Sequence, residues 1–81
     1  GRPCRMKGMR YTVVLRPGPE TPGVWLAEVP ALPWCATFGH SPEEALENAK
    51  DALEAALEAL EALGEAPPPD VTVAQISLDA A

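Results

Sequence analysis

The stretch Ser41–Gly64, SPEEALENAKDALEAALEALEALG, carries both of its ends in its own residues and predicts a single helix. Ser41 can accept hydrogen bonds from the first turn, Pro42 stands where a missing N–H costs nothing, and Glu44 completes a capping box. Gly64 supplies the left-handed stop. Leu46, Ala49, Leu53, Ala56, Leu60 and Leu63 recur at spacings of three and four, with Leu57 widening the stripe, so one side of the helix needs an apolar cover. The opposite side carries Glu47, Asp51, Glu54, Glu58 and Glu61, and no base follows Lys50. At about 1.5 Å per residue the helix is roughly 33 Å long. That is about the width of a small domain, which leaves room for one helix and one sheet.

Eighty-one residues predict a single domain, because so short a chain buries little more than half of its unfolded surface and cannot be divided into two cores. Self-association would add to that burial. The formal net charge of −6 is unevenly spread: five of the six bases lie in residues 1–16, whereas Lys50 stands alone against all twelve acids in residues 17–81. The acidic body repels nucleic acid phosphate and attracts basic surfaces. Cys4 lies in a polar leader and Cys35 in an apolar run, with no second pair of ligands, so both read as reduced thiols and Cys35 as a small core residue. No segment approaches the ~20 apolar residues of a membrane span and no signal core is present, which points to the cytoplasm. Scarce Asn and Gln beside abundant Ala, Leu, Pro and Glu suggest a heat-adapted source.

Residues 1–8, GRPCRMKG, show neither periodicity and read as a flexible leader, so the domain is expected over residues 9–81. Arg10 to Arg16 alternates as a strand, with Tyr11, Val13 and Leu15 on one side and Thr12, Val14 and Arg16 on the other. The Pro- and Gly-rich run from Pro17 to Gly23 is a hairpin loop. A second strand follows from Val24 to Val29. Pro30-Ala31-Leu32-Pro33 is a turn with Leu32 tucked inward, Trp34 to Phe38 is a third strand, and Gly39-His40 leads into the cap. Beyond Gly64, the connector to Asp70 is too rich in proline for a helix, and Val71 to Leu78 reads as a fourth strand. The expected architecture is α+β: a βββαβ chain with one long helix on a mixed four-stranded sheet, order 3-2-1-4. Pairing of strand four with another subunit is the alternative. Tyr11, Leu15 and Trp25 cannot share the helix with Val14, Leu26 and Phe38, so one sheet face stays apolar and a homodimer or higher homo-oligomer is expected.

An RNase H-like nuclease opens with the same element order, but its chemistry needs carboxylates on strand one converging with helix acids on two cations. Tyr11-Thr12-Val13-Val14-Leu15 contains no acid. His40 is the only histidine, and its neighbour Ser41 is committed to the cap. Cys35 and His40 are two ligands short of a zinc site, and no phosphate-binding glycine spacing occurs. No catalytic, cofactor-binding or metal-ligating residue is therefore assigned, and no cofactor. The acidic ridge reads either as a solvated face or as a template for a basic partner. Glu47, Asp51, Glu54 and Glu58 are the candidates for such a partner, and Trp25, Trp34 and Phe38 for apolar contact.

The strings MRYTVV at residues 9–14, EVPALP at 28–33 followed by Cys35, and TFGHSPEEALENA at 37–49 resemble the HicB family of antitoxins, over residues 9 to about 70. The chain differs from the usual pattern in having Trp34 before the cysteine and His40 before the cap. The resemblance implies a partial RNase H-like domain without catalytic carboxylates. It also implies a partner, the HicA toxin, a small basic mRNA-cleaving ribonuclease. The DNA-binding module that many of these antitoxins carry is not expected, since only Val71 to Ala81 follows the connector, and direct DNA binding is not expected either. The resulting reading is a non-catalytic antitoxin domain. A stand-alone binding module for a small ligand or an unrelated protein is the alternative, and a metal-dependent nuclease a third.

Overall fold

The computed structural model describes residues 9–79. The leader over residues 1–8, with Cys4, lies outside the described residues. Three strands and one helix follow in order: β1 (Val14–Pro17), β2 (Trp25–Glu28), β3 (Ala36–Gly39) and α1 (Pro42–Ala62). The strands form an antiparallel meander with β2 in the centre. Among the described residues no helix is long and apolar enough to cross a membrane.

The meander is built by its turns. Gly18 N–H donates to Val24 O and Val24 N–H to Thr21 O, closing the loop between β1 and β2, where Gly23 takes a positive φ of 83°. Between β2 and β3, Leu32 N–H donates to Val29 O and Cys35 N–H to Leu32 O. These two tight turns carry Leu32 and Cys35 into the core, at 3% and 5% exposure. The inward Leu32 and the buried, free Cys35 are as expected from sequence. Pro17, read from sequence as the start of the loop, is the last residue of β1, opposite Trp25.

Both ends of the helix are closed by hydrogen bonds. Ser41 Oγ accepts from Glu44 N–H at 3.0 Å. Glu44 Oε1 reaches back one residue further than a capping box requires, accepting from His40 N–H instead of from the cap residue. At the other end Gly64 has φ 76°, its N–H donates to Glu61 O, and Glu65 N–H donates to Leu60 O. That six-to-one and five-to-two pair is a Schellman stop, and it satisfies carbonyls the helix itself leaves open.

Residues of alternating parity divide the sheet. Tyr11, Val13, Leu15, Trp25, Ala27 and Val29 belong to the helix-covered core, whereas Val14, Leu26 and Phe38 lie on the opposite face by the register. The buried stripe of the helix is Ala45, Ala49, Ala56 and Leu57, flanked by half-buried Ala52, Leu53 and Leu60. Leu46 and Leu63, expected in that stripe, are 47% and 72% exposed. Leu63 is the C-cap, past the last helical residue, and for Leu46 the cause is steric, at Gly39. A Cβ there would lie 2.4 Å from Ala45 N and 2.9 Å from Ala45 Cα, so β3 and the first helical turn touch backbone to backbone. Only a small residue fits that contact, and alanines rather than leucines line the helix where it meets β2 and β3.

The sheet has three strands, and the fourth strand expected at Val71–Leu78, with its order 3-2-1-4, does not form among the described residues. After the helix the chain runs back beside the segment that leads into β1. Tyr11 OH donates to Pro68 O, Thr12 N–H to Asp70 Oδ1 at 3.0 Å, and Thr12 Oγ1 to Asp70 Oδ2 at 2.8 Å. One side chain thus binds where a backbone ladder would have begun. Beyond Asp70 the chain is exposed through Asp79.

Overpacking a close backbone contact costs about 1–3 kcal/mol, and loss of a serine cap about 1 kcal/mol. Gly39→Ala and Ser41→Ala are therefore expected to lower the unfolding free energy by those amounts, in urea titrations followed by helix circular dichroism. An unchanged midpoint for Gly39→Ala would mean that helix and strand do not meet at backbone distance.

Candidate functional site

Three surfaces have the character of contact sites. The first is the outward side of the helix, where Glu47, Asp51, Glu54 and Glu58 are all exposed. Steps of four, three and four residues keep them on one face over about three turns. Helical order holds these carboxylates in a line and so sums their fields toward solvent.

The second surface is the open side of the sheet. Val14 and Phe38 are 40% and 55% exposed, and half-buried Leu26 stands opposite Phe38. Arg16 Nη2 and Glu28 Oε2 pair across β1 and β2 at 2.8 Å. Both are largely solvated, so the pair contributes at most about 1 kcal/mol and serves mainly to keep the apolar face bordered by charge. The three aromatic residues singled out from sequence are separated. Trp25 packs under the helix against Ala27, Ala45 and Ala49, Phe38 lies on the other face, and Trp34 is exposed in the turn before β3. Asn48 Nδ2 donates to Phe38 O at 2.8 Å, fixing the edge strand to the helix.

The third surface lies between the helix and the segment leading into β1. A cleft of about 570 Å³ is bordered by Met9, Leu57, Glu61, Ala66 and Pro67. A smaller one of about 250 Å³ is bordered by Met9, Tyr11, Lys50, Leu53 and Leu57. Both are mainly apolar, with Glu61 and Glu65 also lining the first and Lys50 and Glu54 the second.

Two carboxylates are held below their ordinary values of 4.5 and 3.8. His40, through its backbone N–H first and its ring second, lowers Glu44, and the Thr12 backbone and hydroxyl lower Asp70. Burial pushes the Cys35 thiol up, which keeps it protonated and poorly nucleophilic at neutral pH. Among the described residues no three of His, Cys, Asp or Glu gather in a group that could hold a metal ion. The Tyr11, Thr12 and Asp70 contacts were not foreseen from sequence. They join residues 57 and 58 positions apart, and no local periodicity signals a contact of that kind.

Compared with family models, with curated proteins and with solved structures, the chain finds no match.

A carboxylate whose folded-state value is lowered keeps its bonds above its ordinary value and loses them as pH falls through the lowered one. The Asp70 contact is therefore expected to hold at neutral pH and to release at pH below 3.8. The Thr12 amide resonance should report that titration and should exchange faster in Asp70→Ala. An Asp70 midpoint at or above 3.8 would contradict the contact.

Proposed function

We propose that this chain is a HicB-like antitoxin domain that neutralises a small basic HicA-type mRNA-cleaving toxin by covering it. The observation that carries the reading is the rigid acidic line of Glu47, Asp51, Glu54 and Glu58, the shape of charge a basic RNA-binding protein would meet. Support comes also from the sequence strings around Glu28–Cys35 and Thr37–Ala49 that resemble that family. On this reading the protein acts by contact in the cytoplasm, without cofactor and without binding DNA directly. It works as a homodimer or higher homo-oligomer, in which the four-stranded order 3-2-1-4 is completed. The composition fits a heat-adapted source.

Two other readings are open to experiment. The cleft of about 570 Å³ favours a stand-alone module that holds an apolar ligand. A metal-dependent nuclease would show magnesium- or manganese-stimulated RNA cleavage that disappears when a helix acid is replaced by alanine.

Co-expression with a neighbouring small basic open reading frame is the test of the antitoxin reading. The pair should co-purify and growth should be restored. Replacing Glu47, Asp51, Glu54 and Glu58 together by lysine should slow association at least about tenfold, because charges at a contact rim act chiefly on the encounter rate. Absence of a complex, or full rescue by the lysine variant, would sink this reading.

A further inference from the structure

The segment after Asp70 has the period-two pattern of a strand, VTVAQISL at residues 71–78, yet it belongs to no sheet. Val73, Ile76 and Leu78 are 66%, 83% and 87% exposed. Solvating three such side chains on one short segment is unfavourable. The molecule is also elongated: the extents are 54 × 30 × 19 Å and the radius of gyration 15.2 Å, where a compact domain of this length has about 12 Å. Eight extended residues reach about 26 Å.

Among the described residues, the place such a strand would fill beside β1 is vacant. Thr12, before the ladder begins, donates its N–H to Asp70 and not to β2. Within β1 the bond from Gly18 N–H to Val24 O sets the backbone groups of Arg16 and Val14 toward β2, and the two-residue period turns the N–H and C=O of Leu15 to the free side. Above that side runs the flank of the helix that carries Leu46, Lys50, Leu53 and Leu57, at steps of four, three and four. Leu53 and Leu57 border the open cleft with Tyr11, and Leu46 is 47% exposed. An apolar lane and an apolar strand therefore occur in the same molecule, unjoined.

We propose that residues 71–78 are an exchanged strand: in a dimer, the segment of each copy lies along the free side of β1 in the other copy, beneath Leu46 and Leu53. The inference deepens the self-association put forward above and rests on it. A second copy fits better than any other occupant for two reasons. Each copy offers one strand and one vacant lane, so reciprocal exchange fills both and closes a two-fold assembly. Charge also selects this side, because Arg10, Arg16 and Lys50, the only Lys and Arg residues among those described, lie on β1, on the segment before it and on the adjoining helix flank. Two acidic bodies repel least where their bases are gathered. The connector helps to direct the strand outward: Pro67-Pro68-Pro69 is stiff, and Tyr11 and Thr12 hold Pro68 and Asp70 in place.

Light scattering at micromolar concentration is expected to give twice the 8.6 kDa chain mass. Val73→Pro, which removes a ladder donor, should reduce that to one chain mass while helix circular dichroism stays unchanged. Ile76→Asp should do the same, and Phe38→Asp, on the open sheet face, should leave the dimer intact. A single chain mass for the parent protein would overturn both self-association and exchange. A Val73→Pro protein that stays dimeric, or a dimer lost in Phe38→Asp alone, would overturn the exchange and leave self-association standing through another surface.

Discussion

The backbone contact between Gly39 and Ala45 sets the geometry of this molecule. Because no side chain stands between β3 and the first helical turn, the helix lies close on that side of the sheet and buries Ala27, Ala45 and Ala49 to 1% or less. The cap at Ser41 and the link from Asn48 to Phe38 hold the same end. A helix seated over β3 and β2 leaves its far flank beyond β1. That single displacement accounts for exposed Leu46, for the clefts beside Tyr11 and Leu57, and for the unfilled lane.

Energetically the fold is thin. Of the eight apolar residues buried among those described, four are alanine, and alanine removes little surface from water. Small domains of this kind commonly add stability by association. Two apolar surfaces stay open to solvent: the sheet face at Val14, Leu26 and Phe38, and the segment at residues 71–78. The charged side of the helix is the remaining surface, and its rigidity is what separates it from an acidic loop. A line of carboxylates fixed by backbone order presents the same field to every approaching partner, which gives specificity and rate more than affinity.

How much of this was legible beforehand depended on the range of each interaction. Ser41, Pro42, Glu44 and Gly64 act within six residues of their partners, so the helix ends could be read directly, down to the glycine stop. The three-stranded meander followed from alternation and from prolines in the turns, with the strand bounds displaced by one to four residues at their starts. The parity of Val14, Leu26 and Phe38 against Leu15, Trp25 and Ala27 was visible too. By contrast, Leu46 and Leu63 satisfy helical spacing as well as Leu57 does. Only the seat of the helix on the sheet separates them.

From its residues alone this chain determined one capped amphipathic helix, a hairpin-linked sheet, a buried Cys35 and an acidic outward face, because capping, alternation and charge spacing are all properties of neighbours in sequence. Tertiary structure decided the rest. The depth of contact at Gly39, the clamp of Asp70 on Thr12 and the failure of residues 71–78 to join their own sheet all depend on segments that meet across the fold. Local periodicity can specify a strand, but it cannot specify which edge that strand will find.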